Sequence, residues 1–137
     1  MEILIINGPN LNLLGKRQPS IYGDVSFDEY IEKIQHNGIT ISVYQSNVEG
    51  EIINAMHESK ADGIILNAGG YTHTSVAIHD AVSAIEIPVV EVHISNISAR
   101  ESFRHDSLIS PVAAGCIFGF GMTGYEMAVD YFIKLKK

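Results

Sequence analysis

Residues 2–44 read EILIINGPNLNLLGKRQPSIYGDVSFDEYIEKIQHNGITISVY. The stretch opens on an apolar, β-branched run that predicts a strand over Glu2–Ile6, buried on both faces. A polar segment from Asn7 to Asp24 follows, too rich in Gly, Pro and Asn for a core element. Ser26 and Glu29 then form a capping box, the paired signal that starts a helix. Phe27, Tyr30, Ile31 and Ile34 continue the i, i+3, i+4, i+7 stripe of an amphipathic helix. Asn37-Gly38 ends it, and Ile39–Tyr44 reads as a second strand. A strand, a helix and a strand in this order predict a parallel crossover unit.

The rest of the chain repeats the unit. Further strands are expected over Gly63–Leu66, Val89–Ile94 and Cys116–Phe120. Ser46 and Glu49 make a second capping box before Ile52, Ile53 and Met56. Thr72 or Thr74 opens a third helix, with Ile78, Ala81, Val82 and Ile85 on one face, and Pro88 stops it. Thr123 and Glu126 box the last helix. Between Ile94 and Ala114 the signal is weak, with one short helix around Ala99–Phe103. The reading is a flavodoxin-like three-layer α/β/α sandwich over a single domain, residues 1–137, with a five-stranded parallel sheet in the order 2-1-3-4-5. In such a sheet ligands bind beyond the carboxyl ends of the strands, near the switch between strands 1 and 3. The segments leaving strands 1, 3 and 4 carry all three arginines, Arg17, Arg100 and Arg104, and the histidines His73, His93 and His105.

The net charge of −7 disfavours nucleic acid and anionic membranes as partners. No apolar run approaches the roughly 18 residues of a membrane span. Met1 leads straight into a strand pattern, so no signal segment is expected. The single Cys116 excludes an intrachain disulfide and points to a reducing, cytoplasmic setting.

Gly119–Gly124, GFGMTG, matches a dinucleotide fingerprint but follows the last strand and lacks a later acidic residue, so it reads as a tight strand-to-helix turn. No metal is expected: His73 and His79 are six apart, and there is no cysteine cluster. Cys116, inside an apolar strand, reads as an inert core residue. A phosphorylation receiver would need acids where Asn7, Asn10, Asn12 and Asn67 stand. Flavin binding would need a Ser/Thr-rich loop after strand 1. His93 is the most informative histidine. It ends a strand, and Glu91, two residues earlier, points to the same side of the sheet. A carboxylate there fixes the imidazole tautomer and raises its basicity, which suits a general acid or base. Tyr22 and Arg17 share one loop; on spacing alone they read as an ordinary loop tyrosine and a solvated arginine.

Five segments, INGPNLNLLGKRQPSIYG, QSNVEGEI, NAGGYTHTS, EVHISNISARESFRHDS and ISPVAAGCIFGFGMTGY, together resemble type II 3-dehydroquinate dehydratase across nearly the whole chain. The resemblance implies a lyase of the shikimate pathway or of quinate breakdown. It would dehydrate 3-dehydroquinate to 3-dehydroshikimate by anti-elimination through an enolate, with no cofactor and no metal. Carried over by the resemblance, Tyr22 is the base, as tyrosinate, and Arg17 lowers its pKa and closes over the substrate. Asn12 helps hold a water at the enolate oxygen, and His93 protonates the departing hydroxyl. Ser95 and the Ile94–Ser95 backbone bind the carboxylate, with Asn67 beside them. His73, Arg104 and Asp80 hold the ring hydroxyls, Asp80 reaching a neighbouring subunit within trimers of a homododecamer. The Asn7–Asp24 loop then becomes a lid over the site, with Gly15 and Gly23 as its flexible points.

The sequence departs from that family's usual pattern at Ala68, where proline is common, and at Val48 and Ser98, where histidine is common. A competing reading keeps the fold but makes the chain a non-catalytic module that binds a small anion. It would need the arginines and strand-end amides, but no tyrosine–histidine pair.

Overall fold

The apolar runs pair side by side, as expected. The computed structural model describes residues 1–14, 16 and 25–136. Among them, β1 (Glu2–Asn7), β2 (Thr40–Gln45), β3 (Gly63–Asn67), β4 (Val89–His93) and β5 (Gly115–Phe118) form one parallel sheet in the order β2-β1-β3-β4-β5. The helices are α1 (Phe27–Lys33), α2 (Glu49–Glu58), α3 (Val76–Ala84) and α4 (Thr123–Leu135).

Alternation along the central strands divides the core into two layers. Ile3, Ile5, Ile65, Val90 and Val92 face Ile31 and Ile34 at the α1 end and Tyr125, Ala128, Val129 and Phe132 of α4. Ile6, Ile64, Leu66 and Val89 face Ile52 and Met56 of α2 and Ile78, Ala81 and Val82 of α3. Ile3, Ile5, Ile6, Ile64, Ile65 and Leu66 are 0% exposed. Each such side chain contributes roughly 1.5–3 kcal/mol, so the β1–β3 pair anchors both layers. Burial on both faces holds for β1, β3 and β4 but not for the sheet edges. β2 buries only Ile41, and no residue of β5 is fully buried. An edge strand borders a single neighbour, so its outer row is less covered. Cys116 is accordingly exposed on β5, not a core residue.

The capping box at Ser26 and Glu29 forms, with both reciprocal hydrogen bonds present. The helix it starts ends at Lys33, earlier than expected, and Gly38 turns the chain into β2 with a φ of 81°. Three other helix starts differ from the sequence reading. Helix α2 begins after Val48, because Ser46 Oγ takes the Val48 N–H and donates to Glu51 instead of pairing with Glu49. Thr72 and Thr74 lie in a 3-10 turn at Gly69–His73 and its end, and Ser75 caps α3 by accepting the Ile78 N–H. Met122, not Thr123, precedes α4, whose first turn has no side-chain cap. The weak segment after β4 folds as 3-10 turns at Ile97–Ala99, Ser102–Arg104 and Ser110–Val112.

Two contacts tie the strand ends together. The Gly8 N–H donates to the Asn67 carbonyl at 2.7 Å. A Cβ on Gly8 would lie 2.5 Å from the Ala68 carbonyl oxygen, so only glycine lets these two loops approach. Ala68 has a φ of −73°, a value that proline shares. The backbone there already has the φ that a proline ring would impose.

Candidate active site

The register places Asn7 opposite both Gln45 and Asn67, and His93 opposite Phe118. The carboxyl ends of β1, β3 and β4 therefore open on one side of the sheet. A cleft of about 640 Å³ lies there, lined by Asn67, His73, His93, Ile94, Ser95 and Arg104, among others. These are six of the residues singled out in the sequence, brought together from two separate loops and the ends of two strands.

Asn67 is held from behind. Its amide nitrogen donates to the Tyr125 hydroxyl at 2.9 Å, and that hydroxyl donates to Asn7 Oδ1 at 2.8 Å. The Gly69 N–H meets Asn67 Oδ1 at 3.2 Å. Tyr125 has one proton to give and gives it to Asn7, so Asn67 must meet Tyr125 through its NH₂. The second N–H of that amide is the donor Asn67 has left for the cleft.

His73 sits at the end of the 3-10 turn that follows β3. Its Nδ1 lies 2.7 Å from the Asp106 carbonyl oxygen. A carbonyl can only accept, so Nδ1 carries a proton. The His73 and His93 rings stack at 6.4 Å, 22° from parallel.

His93 and Glu91 are both buried, and His93 Nε2 lies 2.8 Å from Glu91 Oε1. The period of two in a strand puts both side chains on one face, as the sequence implied. Glu91 also accepts from Ser107 Oγ at 2.6 Å, from the Ser110 hydroxyl, and from Cys116 Sγ at 3.4 Å. Burial acts to raise the Glu91 pKa. The hydrogen bonds from His93, Ser107 and Ser110 outweigh it and hold the carboxyl below its ordinary range. Glu91 is thus an anion against His93, and His93 Nε2 is a donor. Among the described residues Nδ1 of His93 has no hydrogen-bond partner, which leaves it for a ligand.

Two arginines add positive charge. Arg104 Nε donates to Glu101 at 2.8 Å and packs over Phe103. Arg100, which the sequence reading did not place in the site, also lines the cleft and donates to Ser95 Oγ at 3.4 Å. Its signal was available: it lies five residues after Ser95, within one pass of a tight loop. Two guanidiniums share the single carboxylate of Glu101, so the cleft keeps a net positive edge suited to a small anion.

Asn12 is exposed on the 3-10 turn Leu11–Leu13, where Leu11, Leu13 and Leu14 form the cleft wall instead. Asp80 is exposed on α3, paired with His79 at 3.0 Å, and does not line this chain's cleft. His105 points away, with Nε2 2.9 Å from the Arg100 carbonyl. Arg17, Tyr22 and the glycines Gly15 and Gly23 lie outside the described residues. Among the described residues no helix is long and apolar enough to cross a membrane.

A flavodoxin-like sheet with a buried carboxylate–imidazole pair and cationic side chains at its strand ends defines an α/β protein whose cleft has the chemistry to suit a small anionic ligand. Comparison with known proteins makes this specific. Residues 1–133 match the family described as Dehydroquinase class II, and the chain belongs to it. The 3-dehydroquinate dehydratase of Dinoroseobacter shibae is 55% identical over 136 residues, covering 95% of this chain and 91% of its relative. That of Fusobacterium nucleatum is 54% identical, covering 98% of this chain and 97% of its own. The crystal structure of a type II dehydroquinase from Butyrivibrio crossotus superimposes with a TM-score of 0.89 at 45% identity, covering 97% of each chain.

Proposed function

We propose that this chain removes water from 3-dehydroquinate to give 3-dehydroshikimate, the dehydration step of the shikimate pathway, with the residues of the strand-end cleft carrying the reaction. The observation that supports it most is the Glu91–His93 pair, buried at the end of β4 beside Ser95, Arg100 and Arg104. With its Nε2–H held by the Glu91 carboxylate, His93 takes a second proton on Nδ1. The resulting imidazolium, facing an anion-binding loop, can deliver that Nδ1 proton to a leaving hydroxyl of a carboxylate-bearing substrate.

In the proposed sequence Tyr22, as tyrosinate, takes a proton from C2 of the substrate. The C2 electron pair becomes an enolate. Arg17 stabilises the phenolate before the transfer, because a permanent cation favours the charged form of a neighbouring acid. Asn12 contributes by holding a water at the enolate oxygen. The enolate then expels the C1 oxygen, which leaves as water with the proton from His93. Ser95 with the Ile94–Ser95 backbone and Asn67 would bind the carboxylate, and His73 and Arg104 the ring hydroxyls. A base on one loop and an acid on a strand end can occupy opposite faces of a ring, as an anti-elimination requires.

The setting is a homododecamer built from trimers in the cytoplasm, in which Asp80 reaches a neighbouring copy's cleft. Supporting this, the Asp80 side chain is 71% exposed, and Val76 nearby on α3 is 62% exposed. The decisive experiment is the growth of near-ultraviolet enone absorbance when 3-dehydroquinate is added. Turnover unaffected by a chelator and by borohydride with substrate fits the reading. Folded protein that binds a quinate-like ligand by calorimetry without turnover would replace it with the anion-binding module. Mass measurement in solution tests the assembly.

A further inference from the structure

One segment, Asp106–Leu108, touches His73 directly and reaches His93 through its partner Glu91. The Asp106 carbonyl takes the Nδ1 proton of His73 at 2.7 Å. The Leu108 N–H donates to the Thr72 carbonyl at 2.9 Å, fixing the same turn a second time. Between them, Ser107 faces the other way and donates to Glu91 Oε1 at 2.6 Å. That oxygen is the one bonded to His93 Nε2.

The Ser107 hydroxyl has no freedom in this role. Its oxygen accepts the N–H of Ile109 and the N–H of Ser110, both at 3.0 Å. A hydroxyl has two lone pairs and one proton. With both lone pairs engaged by backbone donors that cannot reverse, its proton is left for Glu91. Two donors then converge on one carboxylate oxygen, the serine O–H and the imidazole N–H. The Ser110 hydroxyl donates to the other oxygen. A protonated Glu91 would have to give up one of these bonds, so the arrangement selects the anion.

We propose that Ser107 is a positioning residue for His93: acting through Glu91, its locked hydroxyl keeps the carboxylate charged and aimed so that His93 holds its Nε2 proton and turns Nδ1 to the substrate. The flanking Asp106 and Leu108 tie the same segment to His73, so one loop sets the orientation of both imidazoles. The proposal rests on the reading that His93 is the acid of the dehydration, and its test separates the two.

The test compares wild type with Ser107→Ala, Ser107→Thr and Ser107→Cys in the intact assembly. Two readouts are taken: steady-state kinetics, and the titration of Glu91 by difference infrared spectroscopy with Glu91→Gln as the reference. Loss of one hydrogen bond to a charged group moves a carboxyl midpoint by about one pH unit. Ser107→Ala is expected to raise the Glu91 midpoint by that amount. It should lower kcat about tenfold or more, with KM changed less than about twofold. Ser107→Thr, which keeps the hydroxyl, should restore both. Ser107→Cys keeps the volume and weakens the donor; it should shift the midpoint in the same direction, and it carries the test if the alanine variant does not fold. A Glu91 midpoint that is unmoved in both the alanine and cysteine variants overturns the proposal. A shifted midpoint with unchanged kcat would leave the hold on Glu91 but overturn Ser107 as a positioning residue for His93, while turnover in His93→Ala separately tests His93 as the acid.

Discussion

Tyr125→Phe removes a single oxygen and leaves the ring. The ring is 0% exposed and packs edge-on to Phe27 at 5.1 Å, so the substitution opens little space. What it removes is the bridge between the ends of β1 and β3. Asn7 Oδ1 loses its donor at 2.8 Å, and the Asn67 amide loses its acceptor at 2.9 Å. Asn7 and Asn67 are 2% and 3% exposed, so water does not easily replace the hydroxyl. An orphaned buried polar group costs about 1–3 kcal/mol. Two of them, partly relaxed, give an expected loss of about 2–4 kcal/mol. The functional consequence follows from the same atoms. Asn67 then keeps only the Gly69 N–H at its Oδ1 to orient the amide, so its hold is weakened. KM for 3-dehydroquinate should then rise about three- to tenfold with a smaller change in kcat, as expected when a ground-state contact is lost. Urea unfolding at fixed protein concentration, which matters if the chain assembles, measures the first effect, and steady-state kinetics the second. A midpoint shift worth less than about 0.5 kcal/mol together with an unchanged KM would refute the bridge as a determinant of Asn67.

Other expectations follow from the same geometry. Tyr22→Phe should abolish exchange of the C2 proton while substrate still binds, and His93→Ala should block loss of the hydroxyl; near-normal turnover in the tyrosine variant would remove Tyr22 as the base. Gly8→Ala should destabilise the protein by more than the gain of about 1 kcal/mol that a glycine replacement offers at an unconstrained site, because its Cβ would press on the Ala68 carbonyl; thermal unfolding at fixed concentration checks the sign. The depressed Glu91 pKa in the folded protein means its charge stabilises the fold above the ordinary glutamate range, near pH 4.3. That contribution is lost as pH falls through the lower folded value. Glu91→Gln should therefore flatten the acid side of the stability profile, and a parallel profile would contradict it.

The strands were legible in the sequence because a parallel sheet must be covered on both faces, which forces near-continuous β-branched runs at β1, β3 and β4. The capping box of α1 was legible because its two partners are three residues apart. The other helix starts were not. Ser46 lies three residues before Glu49, but its hydroxyl found Glu51 and the Val48 N–H. Threonines at 72, 74 and 123 offered equally plausible caps, and the path of the chain chose Ser75 and left the first turn of α4 uncapped. Cys116 was misread as core because an edge strand and a central strand share one apolar composition; only the sheet order distinguishes them.

The Glu91–His93 pairing followed from spacing alone, since two residues apart on a strand is a fixed geometric relation. Ser107 and Ser110 could not be found that way. The two serines reach Glu91 across 16 and 19 residues, through a loop with no periodic pattern. Tyr125 reaches Asn7 across 118 residues. By itself, then, the sequence determined what repeats or lies close along the chain: the strand–helix alternation, the sheet order it implies, and the carboxylate beside the histidine. The tertiary structure alone decided which hydroxyls hold that carboxylate charged and which end of Asn67 faces the cleft. The physical reason is that periodicity encodes the surface a residue buries, whereas hydrogen-bond partners are selected by where the folded chain brings distant donors within 3 Å of an acceptor that has lost its water.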